Sequence, residues 1–202
     1  MILPQEYYQN QDVLAMARDL IGKRLVSSVG NKYCTGIIAE TEAYRAPDDR
    51  ACHAFGNRLT PRTKTMFEAG GLAYVYICYG MYKLINVVTG PSSFAHAVLI
   101  RALIPENGID HMQSRRGKIK NINQLTQGPG ALSIAMGIGI QHNACKLFDA
   151  ESEIQIHVNP ENKIDFEIIS GKRVGVINSG ECAHRPWRFF IKDCRSVSKW
   201  KP

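Results

Sequence analysis

Glu40-Thr-Glu42-Ala-Tyr44 places two carboxylates and a phenol at alternate positions. Side chains alternate along a strand, so in a strand all three share one face. A solvated strand face would carry such a set without comment. Ile37-Ile38-Ala39 comes just before it, however, and predicts that the strand is largely buried there. A carboxylate withdrawn from water holds its proton more firmly, which makes it a candidate general base. Five of the eight tyrosines lie between Tyr44 and Tyr82, four of them in the run Leu72-Ala-Tyr74-Val-Tyr76-Ile-Cys-Tyr79-Gly80-Met81-Tyr82. A flat π-face binds bases by stacking and cations through its quadrupole. His53 lies between these two groups, while Asn86 and Arg101 interrupt the apolar runs Leu84–Val88 and Val98–Ala102. A buried Arg101 would need a carboxylate partner, with Glu42 the expected one. Together these residues suggest a pocket that holds a flat group beside an activated water.

Positioning them takes a sheet. Asp12 is placed to cap a helix carrying Leu14, Ala17 and Ile21, which Gly22 ends. Strands are expected over Arg24 to Val29 and Tyr33 to Tyr44, with Gly30-Asn31 as the turn between them. Arg45 to Arg62 has the composition of a loop, and a short helix over Thr63 to Glu68 stops at Gly70-Gly71. Leu72 to Cys78 and Lys83 to Thr89 read as a hairpin with its tip at Tyr79 and Gly80. Turns are usually small and polar, so Tyr79 and Met81 at a tip ask for a partner, and apolar side chains inserted between base pairs kink a duplex. His96 to Ile104 is a further strand, followed by helices over Ile109 to Arg116 and from Gly128-Pro129-Gly130. More strands are predicted at Glu153 to Val158, Arg173 to Ile177 and Trp187 to Ile191. No internal repeat or linker divides the 202 residues, so the expectation is a single α+β domain, 1–202, with a mostly antiparallel sheet and flanking helices.

A net charge of +7 favours a polyanionic partner. The helix from Gly128-Pro129-Gly130 could present amides to a phosphate, and Arg185, Trp187, Arg188, Lys192, Arg195, Lys199 and Lys201 form a basic block with aromatic residues between. No apolar run approaches a membrane span, and Met1-Ile-Leu-Pro-Gln-Glu lacks a signal-peptide pattern, which leaves a soluble cytoplasmic protein as the expectation. The six cysteines are scattered without a Cys-x-x-Cys pair, as expected of reduced thiols without a structural metal. Cys78 reads as packing within its strand.

Collinear motifs carry a more specific likeness. Glu40-Thr-Glu42-Ala-Tyr44, His53, Thr60-Pro61-Arg62, Met66-Phe67, Tyr74-Val-Tyr76, Tyr79-Gly80-Met81-Tyr82, Asn86, Arg101, Gly128-Pro129-Gly130, Arg173-Val-Gly-Val, Gly180-Glu181 and Arg185-Pro186-Trp187-Arg188-Phe189 span most of the chain. In them the sequence resembles the alkyladenine (3-methyladenine) DNA glycosylase family. The resemblance implies a hairpin that enters the minor groove of double-stranded DNA, and a monofunctional base-excision repair enzyme that flips out alkylated or deaminated purines and hydrolyses the N-glycosidic bond. It implies Glu42 as the base that activates water and Arg101 as a residue that holds that water. Tyr44, His53 and Tyr76 would sandwich the base, Asn86 would disfavour the amino group of normal guanine, and Tyr79 would fill the gap in the duplex. Arg62, Met81, Arg185 and Arg188 would meet the DNA backbone. Tyr74 and Tyr82 are left to core packing. Ala131 stands where the family pattern leads one to expect a lysine.

No cofactor is expected, nothing in the sequence calls for more than a monomer, and the expected place is with the DNA (the nucleoid in a bacterium, the nucleus in a eukaryote). Two other readings compete. A non-catalytic damage-binding protein could use the same hairpin, but it would have no need of Glu42 with Arg101. A metal-dependent hydrolase could use Glu40, Glu42, Asp48, Asp49 and His53, although their spacing matches no metal-ligand pattern.

Overall fold

In the computed structural model, which describes residues 1–159 and 167–198, the Asp12 carboxylate accepts the amides of Leu14 and Ala15 at 3.0 Å. That cap opens helix α1 (Val13–Asp19), whose Val13, Met16 and Ala17 are buried. Lys199 and Lys201 of the basic block lie outside the described residues.

Next come β1 (Arg24–Ser27) and β2 (Cys34–Tyr44), joined through Gly30 and Asn31, both at positive φ. β3 (Ala73–Cys78) and β4 (Tyr82–Thr89) pair antiparallel, Cys78 facing Tyr82, and β5 (His96–Asn107) runs beside β4. Helices α2 (Ile109–Arg116) and α3 (Pro129–Met136) follow, then β6 (Ile154–His157), β7 (Ile168–Gly171) and β8 (Arg188–Ile191). Every pairing is antiparallel, in the order β3-β4-β5-β2-β1-β6, and this single domain is α+β as expected.

β2 holds the sheet together. β5 lines one of its edges along nearly its whole length, while the other edge is shared between β1 at residues 34–37 and β8 at Glu40–Glu42. An 11-residue strand has room for both partners. Buried from Cys34 to Ala43, it meets the expectation drawn from Ile37-Ile38-Ala39. Its register against β5 shifts on either side of Glu40, leaving Ala39 and Arg101 without a ladder partner. Such irregularities bend a strand and re-aim its side chains.

The sheet's two faces do different work. Val75, Ile85, Val87, Val98 and Ile100 belong to the main core, with Met16 and Ala17 of α1 and Leu132, Ala135 and Met136 of α3. A second cluster of Ala46, Cys52, Ala54, Met66, Tyr74, Val88, Ala95 and Ala97 backs the opposite face. Across that face one transverse row runs Tyr74–Asn86–Leu99–Glu42–Arg188, each residue opposite the next. Residues far apart in sequence are brought side by side by register alone.

One expected strand is absent and one strand is new. Arg173 to Ile177 is not a strand, because Gly175 at φ 77° breaks the extended path and the Val174 amide donates to the Glu42 carboxylate instead of to a neighbouring strand. β7 was not foreseen, since its four residues show no alternation and pair only with β8.

Candidate active site

The row ends beside a cavity of about 590 Å³ whose lining includes Tyr44, His53, Arg62, Tyr76, Asn86 and Arg101. Glu42 is fully buried immediately behind it. Its Oε2 accepts the Tyr44 hydroxyl at 2.7 Å, and its Oε1 accepts the Val174 amide at 2.7 Å with Arg101 Nε 3.4 Å away. Tyr44, Val174 and Arg101 all line the cavity, so the carboxylate sits one layer of side chains from it.

Burial pushes the Glu42 carboxyl above its usual range. Arg101, the Tyr44 hydroxyl and the Val174 amide pull the other way, and the nearby charge of Glu40 adds to the rise. Burial disfavours the Arg101 cation, but Glu42 and Glu40 outweigh it and keep the guanidinium protonated. The ion pair with Glu42 expected from the sequence is present at 3.4 Å, but the Nε–H itself is donated to Glu40 Oε1 at 2.7 Å. The Nη groups of Arg101 have no hydrogen-bond partner among the described residues, and the side chain reaches the cavity wall.

The aromatic slot is built in the same stepwise way. Tyr74 and Tyr76 stack with centroids 5.5 Å apart, and the His53 ring stands edge-on to Tyr76 at 4.6 Å. Tyr74 Oη lies 2.9 Å from His53 Nδ1, while Arg62 Nη2 lies 3.2 Å from His53 Nε2. Arginine only donates, so Nε2 accepts, Nδ1 carries the proton and Tyr74 Oη accepts it. Desolvation, then the Arg62 charge, push His53 down to about 4. His53 is exposed at the cavity mouth, where water screens part of that effect. The Arg62 guanidinium lies 5.0 Å from the Tyr76 centroid.

A buried arginine steadies the far wall. Arg173 grips Asp49 through both Nη groups at 2.5 and 2.7 Å and lies 4.7 Å over the Tyr44 ring. This anchors the segment that delivers the Val174 amide to Glu42.

The comparisons with known proteins agree with this chemistry. Residues 6–195 match the sequence profile described as Methylpurine-DNA glycosylase (MPG). The chain belongs to the methylpurine-DNA glycosylase family. A Chlamydia felis protein named "Putative 3-methyladenine DNA glycosylase" is 44% identical over 191 residues, covering 94% of this chain and 96% of its own. A Bacillus cereus protein of the same name is 39% identical over 207 residues, covering 98% and 100%.

Within this methylpurine-DNA glycosylase fold, Glu42, Arg101, Tyr44, His53, Tyr76 and Asn86 do come together, and Asn86 donates to the Tyr74 carbonyl at 3.0 Å. Tyr79 and Met81 form the exposed hairpin tip, Tyr79 84% exposed. The proposed backbone contacts are scattered. Arg62 stands at the cavity mouth on Tyr76, and Arg185 is half-buried on Trp187 with its guanidinium 3.3 Å from Asp48. Arg188 is a correction: only 2% exposed, it donates Nε to Glu40 at 2.6 Å and is not a surface contact. Tyr82 is not core either. It is 41% exposed and lies on Gly130, where an added Cβ would come within 2.7 Å of its ring. Cys78, expected to pack, is half-buried at the cavity wall. The carboxylates of the metal reading pair with arginines instead, Glu40 and Glu42 sharing Arg101, Asp48 with Arg45 and Asp49 with Arg173, and no group of three metal-ligating residues forms among the described residues.

Sequence reasoning missed Tyr74 as the support of His53, Glu40 as the partner of Arg101, and Asp49 with Arg173 as the anchor of the wall. The period-two spacing of Tyr74 and Tyr76 held the first signal, and the shared face of Glu40 and Glu42 held the second.

Proposed function

We propose that this glycosylase hydrolyses the N-glycosidic bond of alkylated purines in duplex DNA, with the base flipped into the aromatic cavity and Glu42 activating the attacking water. One observation carries the reading: a buried carboxylate of raised proton affinity sits one layer behind a slot of Tyr44, His53 and Tyr76. Alkylation at N3 or N7 makes the purine cationic, so it leaves without an acid. The slot favours such a cation. The tyrosine rings offer negative faces, about 0.5–2 kcal/mol per contact, and a neutral His53 adds no repulsion.

Water needs a base that is ionised yet strong. Burial makes Glu42 a better proton acceptor than an exposed glutamate. Arg101 keeps the ionised form accessible and offers its free Nη groups at the wall to orient the water. No lysine lines the cavity among the described residues, which favours hydrolysis over a Schiff base. Tyr79 at the hairpin tip is placed to fill the gap left by the extruded nucleotide, and extrusion is cheapest for a poorly stacked base.

The test is release of 3-methyladenine from methylated duplex by wild type and by Glu42→Gln. The variant loses about 10²–10⁴-fold in rate, the range for a general base, with lesion-duplex affinity kept. Excision at the wild-type rate would remove Glu42 from this role. Borohydride should trap no covalent adduct.

A further inference from the structure

Glu40 has no part in the reaction so far, yet it is fully buried beside the base. Its Oε1 alone accepts two arginines, Arg101 Nε at 2.7 Å and Arg188 Nε at 2.6 Å, while Oε2 has no hydrogen-bond partner among the described residues. The Nε of arginine carries a single proton. Arg101 therefore spends it on Glu40 and meets Glu42 only at 3.4 Å, outside the hydrogen bonds of the structure.

We propose that Glu40 is a positioning residue for the glycosylase reaction: it takes the Nε–H of Arg101, keeps the Arg101–Glu42 ion pair at 3.4 Å from closing to a hydrogen bond, and so keeps Glu42 a competent base beside an arginine at the cavity wall. The inference rests on the reading of Glu42 as the base. Arg101 already forms an ion pair with Glu42 at 3.4 Å; without Glu40 it is free to close to a charge-assisted hydrogen bond, the arrangement that most weakens a carboxylate as a proton acceptor.

Every charged or titratable group facing Glu42 takes part in the balance. From β5 comes Arg101, from β2 itself Glu40 and Tyr44, and from β8 Arg188, which stands opposite Glu42 in the ladder. Across Tyr44 lies Arg173, already neutralised by Asp49, and Tyr76 faces the site from β3. Loss of the Glu40 charge leaves two cations, Arg101 and Arg188, around Glu42. Loss of Arg188 leaves Glu40 with Arg101 alone, and Glu42 less compensated.

The two neighbours should thus move the acid limb of the pH–rate profile in opposite directions. With single-turnover release of 3-methyladenine, Glu40→Gln shifts the limb down by about one pH unit and slows the plateau about 10-fold, with duplex affinity unchanged. Arg188→Gln shifts the limb up. Glu40→Asp, which keeps the charge, returns the limb toward wild type. A folded Glu40→Gln or Arg188→Gln enzyme with an unmoved limb overturns the proposal. So does failure of all three variants to fold, which would make Glu40 a structural ion pair only. Glu42→Gln assayed in parallel separates the two ideas: if it retains full activity, the base assignment itself has failed.

Discussion

At the scale of single residues, the site is a contest over one carboxylate. The Tyr44 hydroxyl donates to Glu42 Oε2 and lowers its proton affinity against the larger effect of burial. Tyr44→Phe removes that donor, so Glu42 should bind its proton more tightly. With Glu42 as the proposed base, activity needs the ionised form and is lost as pH falls through the Glu42 pKa. The acid limb of excision should therefore rise by about one to two pH units, since a hydrogen bond to a charged group contributes roughly 1.5–3 kcal/mol. A limb that stays put would show that the hydroxyl does not reach the carboxylate in solution. His53 invites a direct measurement. Its NMR titration should show a midpoint below the ordinary value of about 6.5, and Arg62→Gln should raise it by removing a neighbouring cation. The sign also bears on stability. A depressed histidine takes up its proton more readily in the unfolded chain, so this residue's contribution is lost as pH falls from the ordinary value through the depressed one. At neutral pH the His53 ring itself stays uncharged, and the cation in the slot of the free protein is Arg62.

Among the elements, the β3–β4 hairpin carries the clearest mark of a demand other than stability. Tyr79 sits at φ 50° and Gly80 at φ 70°, with the Met81 amide on the Cys78 carbonyl at 3.2 Å. Two residues at positive φ suit a tight hairpin, but the first position favours Asn or Gly, and a bulky residue there costs about 1–2 kcal/mol. Tyr79→Asn should therefore raise the melting temperature by about 2–4 °C while weakening binding and excision of lesion duplex. Parallel loss of stability and activity would show the tyrosine to be a packing residue. The hairpin was legible in sequence because Tyr79-Gly80 interrupts two alternating runs, and α1 was legible from the Asp12 cap. Period two likewise set Glu40, Glu42 and Tyr44 on one face. The ion pair of Arg101 with Glu42 was legible, but its hydrogen bond to Glu40 was hidden because the register shift around Glu40 is a property of β2 against β5, and no local pattern encodes it. The Arg173 to Ile177 segment misled for a related reason. Its branched apolar residues suit a strand, but the Val174 amide is claimed by Glu42 and the Arg173 side chain by Asp49, each more than 100 residues away in sequence. Tyr82 looked like core until Gly130 gave its ring a surface to lie on.

For the whole molecule, the question is where the net charge of +7 resides. Arg101, Arg173 and Arg188 are buried, and so are Glu40, Glu42 and Asp49, so the interior set cancels. The full excess is left to the rest of the chain, where phosphates can meet it. Binding to undamaged duplex should weaken steeply with salt, log K falling against log salt by about 0.9 per phosphate engaged. Arg62 refines this expectation. In the free protein its guanidinium lies over Tyr76 and bonds His53, on a ring that a flipped base would need. A base entering the slot must displace it, and an exposed arginine driven from the cavity mouth has the DNA backbone as its nearest strong acceptor. Arg62→Gln should therefore reduce the salt slope by about 0.9 for lesion duplex and leave the slope for undamaged duplex unchanged. An equal reduction on both would mean that Arg62 meets phosphate before any base is flipped. No reduction on either would mean that it never leaves the cavity mouth, and that the base is held against Tyr44 and His53 without the Tyr76 face.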